Sequence, residues 1–237
     1  MATYLLIHGA WHGAWCWHTL APLLSASGAR VIAPDLPSMG ADITPPNVIS
    51  LEYWARFVAD LVEREPDPVT LVAHSRGGIV ASRAAELVPD RIRRIVYVAA
   101  YLLPAHATLA TEARRDADSL IPPNMIPAST GLTCTVRAAI IRDAFYNCCS
   151  DADALDAQAR LSPEPLKPLV TPLQITPERF GRVPRAYVRT LADHVITPAA
   201  QARMLDAMPC DPVFTLETDH SPFLSQPEAL ARILISI

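Results

Sequence analysis

Ser75 is the residue whose setting most suggests covalent chemistry. It lies in Val69-Thr70-Leu71-Val72-Ala73-His74-Ser75-Arg76-Gly77-Gly78-Ile79-Val80, where an apolar run ends at the serine and two glycines open a helix-forming stretch. This is the layout of a nucleophile elbow, a sharp strand-to-helix turn that lifts a hydroxyl above a sheet. Such a turn is strained and crowded, so it demands small neighbours. Gly77 meets that demand two positions after the serine. Ala73 stands two positions before it, where G-x-S-x-G has its first glycine, so the match is incomplete. A serine hydroxyl is a weak nucleophile until a base takes its proton, and the base needs an acid to orient it.

Seven histidines could supply that base: His8, His12, His18, His74, His106, His194 and His220. The first four precede the serine and His106 opens the central stretch of the chain. His194 directly follows an acid candidate and cannot fold back to be oriented by it. His220, in Thr218-Asp219-His220-Ser221-Pro222-Phe223, follows the last strand candidate, where a loop at the sheet edge drops an imidazole over Ser75. The acid expected is Asp193, at the end of Tyr187-Val188-Arg189-Thr190-Leu191-Ala192-Asp193, just beyond the penultimate strand. Its work is to accept a hydrogen bond from the imidazole, fix its tautomer and stabilise the imidazolium. Asp206 and Asp211 lie within or after the next helix, and Asp219 adjoins the base. An oxyanion hole needs two backbone N–H donors, each worth roughly 3 kcal/mol of barrier. Arg76, the residue after the nucleophile, supplies one. Ala10 supplies the other, in the loop Ile7-His8-Gly9-Ala10-Trp11-His12-Gly13, where Gly9 permits close approach.

The elements that must hold these residues alternate along the chain. Strand candidates are Thr3–Ile7, Arg30–Ala33, Val69–Ala73, Ile92–Ala99, Ala186–Thr190 and Val213–Leu216, with helical stretches between them. The pattern predicts an α/β fold: a mostly parallel sheet of about six strands flanked by helices. Leu51, Trp54, Phe57, Val58, Leu61 and Val62 recur at helical spacing over residues 50–65, with Ser50 as N-cap. Thr197-Pro198 opens another helix, and Gln226–Ile237 forms the last. From about Tyr101 to Pro184 the alternation breaks and proline becomes frequent. This stretch reads as a small helical cap over the sheet's carboxyl edge within a single domain spanning 1–237. Thr133–Cys148 and Ala152–Leu161 are expected to be helical, and Pro163–Pro184 loop-like with a turn at Pro177–Phe180. Trp15 and Trp17 are expected to pack the first helix on the sheet, while Trp11, nearer the mouth, is a pocket candidate. Met39, Met125 and Met204 are assigned to the core.

Length and charge narrow the possibilities. A chain of 237 residues buries a core that needs neither disulfides nor metals. A net charge of −4 without a strong basic cluster argues against nucleic acid. Cys16, Cys134, Cys148, Cys149 and Cys210 are odd in number and lack C-x-x-C spacing, which fits a reducing compartment and no metal site. The first strand begins almost at once and no apolar run is long enough to cross a bilayer. The expectation is a cytoplasmic protein acting on a small molecule, with no membrane partner; its oligomeric state is open, a homodimer included.

Leu6-Ile7-His8-Gly9-Ala10-Trp11-His12-Gly13-Ala14-Trp15-Cys16-Trp17, the elbow, Phe145-Tyr146-Asn147-Cys148-Cys149, the Asp193 segment and Asp219-His220-Ser221-Pro222-Phe223 occur in one order. Together they resemble the methylesterase and hydroxynitrile-lyase family of α/β-hydrolases and its bacterial esterase relatives, over nearly the whole chain. The resemblance implies the α/β-hydrolase fold, a Ser75/His220/Asp193 triad, no cofactor, a small cap and a compact apolar pocket. Gly9, Trp11, His12 and Phe145 are the residues expected to touch substrate. The lyases of this family carry a lysine directly after the catalytic histidine, where this chain has Ser221, and a threonine in the first loop, where it has Gly9. Both departures favour ester hydrolysis through an acyl-enzyme over cyanohydrin cleavage; a binding protein that kept the fold without turnover is a third reading. Arg76 stands where the family often has leucine or cysteine, and its side chain is either structural or paired with an acidic group.

Overall fold

The computed structural model of the chain describes residues 2–237. Thr3–Ile7 (β1), Arg30–Ile32 (β2), Val69–His74 (β3) and Ile92–Val98 (β4) build one half of a sheet. Met125–Pro127 (β5), Thr133–Val136 (β6) and Glu164–Pro165 (β7) form a separate antiparallel sheet, and Arg185–Thr190 (β8) and Val213–Leu216 (β9) return to the first. The main sheet has six strands in the order β2-β1-β3-β4-β8-β9, with every pairing parallel. The six strand candidates thus all form strands, each within a residue or so of its expected bounds.

Strand periodicity explains how the sheet is sandwiched. Successive side chains point to opposite faces, and a parallel sheet buries both. Leu5, Ile7, Leu71, Ala73, Ile95, Tyr97 and Tyr187 belong to one core cluster, which includes Leu51–Glu63 (α2) and Gly77–Leu87 (α3). Tyr4, Leu6, Val72, Val96, Val98, Ala186 and Val188 belong to the other, beneath Leu20–Ala26 (α1) and a C-terminal helix. Helix α2 begins where expected because Ser50 Oγ accepts the Tyr53 N–H at 3.1 Å. Gly77 opens α3 because a Cβ there would lie 2.7 Å from the Ile7 carbonyl oxygen, so only glycine lets the helix sit this close to β1.

The segment between β4 and β8 departs from expectation. It contains Leu109–Arg115 (α4), Ala138–Phe145 (α5), Asp151–Ala159 (α6) and Lys167–Val170 (α7), but also the three-stranded sheet β5-β6-β7. Thr133–Val136 is strand, not the start of a helix: Thr133, Thr135 and Val136 are β-branched and favour extended backbone. Residues 163–184, read as loop, hold β7, α7 and a 3-10 turn at Phe180–Arg182. After β8 come Pro198–Ala207 (α8), Pro222–Ser225 (α9) and Pro227–Ile235 (α10), the last packed on α1. Thr197 Oγ1 caps α8 by accepting the Ala200 N–H at 3.3 Å. No helix among the described residues is long and apolar enough to cross a membrane.

Candidate active site

Ser75 follows β3 with φ +53°, a left-handed backbone that a residue with a side chain adopts only under strain. The turn is held by its backbone: Ser75 N–H donates to Val98 O at 3.3 Å, and Ser75 O accepts Gly78 N–H and Tyr101 N–H, both at 3.0 Å. This is the elbow the sequence pattern predicts. The departure at Ala73 is accommodated within β3, where Ala73 is fully buried.

His220 and Asp193 meet at the same edge, both shielded from solvent, with His220 Nδ1 2.8 Å from Asp193 Oδ2. The carboxylate can only accept, so Nδ1 carries a proton, which in the neutral ring leaves the lone pair on Nε2. Nε2 is buried without a hydrogen-bond partner; it and the Ser75 hydroxyl are not hydrogen-bonded in this conformation. Asp193 is itself anchored, since Oδ1 accepts Val195 N–H at 2.8 Å and Ile196 N–H at 2.9 Å. His74, the residue before the serine, donates from Nε2 to the His220 carbonyl oxygen at 2.8 Å, tying the His220 loop to the elbow. Asp219, passed over as an orienting acid, secures the same loop: it accepts Cys148 N–H at 2.7 Å, Ser221 N–H at 3.0 Å and Ser225 Oγ–H at 2.8 Å.

The first loop packs beneath this dyad. His8, His12 and His74 are wholly buried, and burial is the leading cause that holds each below the ordinary histidine range, His12 at about 4. All three are therefore neutral at pH 7, and their partners fix their tautomers. His8 Nε2 accepts Leu36 N–H at 3.1 Å, so Nδ1 donates to Gly9 O at 2.9 Å. His12 donates from Nδ1 to Ala10 O at 2.7 Å and accepts the Tyr146 hydroxyl on Nε2 at 2.8 Å. Neither the Ala10 N–H nor the Arg76 N–H donates to an acceptor among the described residues. Likewise, among those residues no group of three or more His, Cys, Asp or Glu side chains could hold a metal ion.

A cavity of about 250 Å³ opens over Ser75. Ala10, Trp11, Arg76 and Tyr101 line it from below; Leu109, Ile121, Met125, Leu166 and Leu169 line it from the segment above, with Arg114 at its exposed side. Trp11 is where expected. Gly9, His12 and Phe145 are not among the lining residues. A Cβ on Gly9 would stand 2.7 Å from His74 Nδ1 and 2.9 Å from Ser75 Cβ, so Gly9 is a close-packing residue. His12 is consumed by its two hydrogen bonds. Phe145 packs its ring on Trp11, His12 and His220, at centroid distances of 5.8, 5.7 and 5.9 Å. Met125, assigned to the core, is half-buried at the cavity wall.

Sequence reasoning missed the partner of Arg76. Arg76 Nε donates to Glu164 Oε1 at 2.8 Å, with the pair 1% and 0% exposed, and the guanidinium lies 4.2 Å from the centre of the Trp54 ring. The signal available was an arginine beside the elbow and one glutamate between Pro163 and Pro165; 88 residues of separation concealed the match.

The α/β hydrolase family model matches residues 4–233. The chain belongs to the α/β-hydrolase family. Within it, methylesterase 18 of Arabidopsis thaliana is 31% identical, over 98% of this chain and 95% of its own length. Putative methylesterase 14, chloroplastic, of the same plant is 30% identical over 99% of this chain and 71% of its own length. This chain spans only 63% and 55% of the chloroplastic putative methylesterases 11 and 13. Among solved structures, a methylesterase from Arabidopsis superposes with TM-score 0.84 at 26% identity, covering 100% of this chain and 98% of that one. A pyrethroid hydrolase from Sphingobium faniae gives 0.86 at 28% identity, covering 99% and 96%. The expected family and fold class are thus those of this α/β hydrolase.

Proposed function

We propose that this α/β hydrolase is a serine carboxylic-ester hydrolase for small esters with an apolar acyl group, methyl and short alkyl esters of aromatic acids among them. The observation that carries the reading is a strained serine beneath an apolar cavity, its preceding residue His74 bonded to the loop of a buried His–Asp pair whose other ring nitrogen has no hydrogen-bond partner. Its similarity to methylesterases and to a pyrethroid hydrolase supports the same chemistry.

In this mechanism His220 Nε2 takes the Ser75 Oγ proton as the oxygen attacks the ester carbonyl. The C=O π pair moves onto oxygen, where the Ala10 and Arg76 N–H groups receive it. The imidazolium, held by Asp193, gives its proton to the departing alkoxide, leaving an acyl-enzyme. Water repeats the sequence, its proton passing through His220 to Ser75 Oγ as the carboxylic acid leaves. The cavity wall is aliphatic and aromatic, so it favours an apolar group by burial, roughly 25 cal/mol for each Å² removed from water. Ser221, fully buried and uncharged beside His220, offers no cation for a cyanide leaving group.

The test is a panel of p-nitrophenyl esters graded by acyl length, with methyl esters of aromatic acids and mandelonitrile alongside. The parent is expected to hydrolyse short esters, and Ser75→Ala to lose at least about 10³-fold in kcat with the fold intact. Equal rates in parent and Ser75→Ala, or cyanide release without ester hydrolysis, would remove this reading.

A further inference from the structure

The geometry points to Arg76 and Glu164 as a positioning clamp that aims the Ala10 N–H at the developing oxyanion, so that a carboxylate from the segment above the sheet and a cation from the elbow jointly set the oxyanion hole. This deepens the proposed esterase reading and rests on it.

A trans peptide is planar, and its C=O and N–H point in opposite directions. Fixing the carbonyl of Gly9 therefore fixes the N–H of Ala10 across the same peptide. Two donors hold that carbonyl: Arg76 Nη2 at 3.0 Å and His8 Nδ1 at 2.9 Å. The next peptide is held at both ends as well. Its carbonyl, from Ala10, accepts His12 Nδ1 at 2.7 Å, and its N–H, from Trp11, donates to Glu164 Oε2 at 3.1 Å. Arg76 and Glu164 thus grip the loop on either side of Ala10 while gripping each other through Nε–Oε1 at 2.8 Å. Trp11, with φ +61°, needs such support, because a left-handed tryptophan returns to ordinary backbone unless its surroundings over-determine it. The rest of Trp11 is bound to the same segment: its indole N–H donates to Cys134 O at 3.1 Å and its carbonyl accepts Ser162 N–H at 2.8 Å.

Energetics make a purely stabilising role a poor account of the pair. Burial pushes the Glu164 carboxyl up and the Arg76 guanidinium down, each favouring the neutral form, and the mutual attraction works against that. A buried ion pair often adds nothing over well-packed apolar side chains of similar volume. What apolar side chains cannot do is hold a carbonyl and an amide N–H in fixed directions.

The experiment uses Glu164→Gln, which keeps the volume but offers one acceptor oxygen instead of two, and the double variant Arg76→Met/Glu164→Leu, which keeps an apolar filling. Three quantities are read: kcat and KM on a short p-nitrophenyl ester, and Ki for an aryl trifluoromethyl ketone. Ser75 Oγ adds to that ketone to form a tetrahedral oxyanion, its proton going to His220. Removing a whole oxyanion donor costs about 10²–10³-fold, so mis-aiming one is expected to lower kcat at least about tenfold and raise Ki by a similar factor. KM should stay within about twofold for Glu164→Gln, whose side chain is not part of the cavity wall; Arg76 lines that wall, so the double variant is judged on kcat and Ki alone. A folded variant with kcat and Ki both near the parent's, or with only its thermal midpoint changed, overturns the clamp. If neither variant folds, the pair is a folding requirement and the inference also falls. If the parent's hydrolysis does not depend on Ser75, the underlying reading fails instead, and the Ser75→Ala control separates the two failures.

Discussion

The Asp193 carboxylate faces donors on every side. Besides His220 and the two backbone N–H groups, Oδ2 accepts Thr190 Oγ1 at 2.9 Å and Gln201 Nε2 at 3.3 Å. Asn at this position would bring one oxygen and one NH₂ to a site built for two acceptors. If the NH₂ replaced Oδ1, it would face the Val195 and Ile196 N–H groups, which cannot turn away. It therefore takes the Oδ2 side, facing His220. The ring answers by moving its proton to Nε2, the atom that must accept the Ser75 proton in the proposed mechanism. Asp193→Asn is accordingly expected to lower kcat by about 10³–10⁴-fold while the protein still folds. NMR of the His220 ring nitrogens should show the exchanged tautomer. A kcat within tenfold of the parent would show that Asp193 does not set the imidazole.

Among the elements, α2 offers the cleanest test because its cap lies apart from the site. Ser50 stands in extended backbone and satisfies one otherwise free N–H at the helix start. Ser50→Ala should cost about 1 kcal/mol, lowering the thermal midpoint by roughly 2–4 °C with esterase rates unchanged. No shift would mean that water serves that N–H equally well. The same cap was legible in the sequence, as were all six sheet strands, because buried parallel strands and amphipathic helices impose their period on the residues themselves. The segment between β4 and β8 was legible in its helices α5 and α6 but not in its strands. Its strands run only three, four and two residues, too short for alternation to declare itself. Ser75, Asp193 and His220 could be read because each sits where a strand ends. The Arg76–Glu164 pair could not, since only the tertiary fold brings β7 over the elbow. Gly9 was read both as permitting close approach and as a substrate contact; its contacts with His74 and Ser75 bear out the close approach, and it is absent from the cavity lining.

For the molecule as a whole, the buried neutral histidines make stability depend on pH. In the unfolded chain His8, His12 and His74 take up protons near their ordinary value of 6.5, whereas burial holds their folded values lower, His12 at about 4. A group depressed on folding binds its proton first in the unfolded state, so stability is full above about pH 6.5 and is lost as pH falls towards the folded value. Each such histidine costs about 1.4 kcal/mol per pH unit once well below 6.5. For His12 that is roughly 2 kcal/mol by pH 5, a sizeable share of the 5–15 kcal/mol that separates a typical domain from its unfolded state, and His8 and His74 add to it in the same direction. Glu164 acts in the opposite sense, because burial raises its carboxyl and protonation at low pH favours the folded chain, but it is one group against three. The urea midpoint is therefore expected to drop steeply between pH 6.5 and 5, above the range where ordinary carboxylates titrate. Because desolvation is the leading cause for each histidine, added salt should leave that slope nearly unchanged, unlike a slope from surface charge. A midpoint that stays flat from pH 7 to 5 would mean that these rings accept protons in the folded state, and that the hydrogen-bonded loop around Ala10 is looser than its geometry implies.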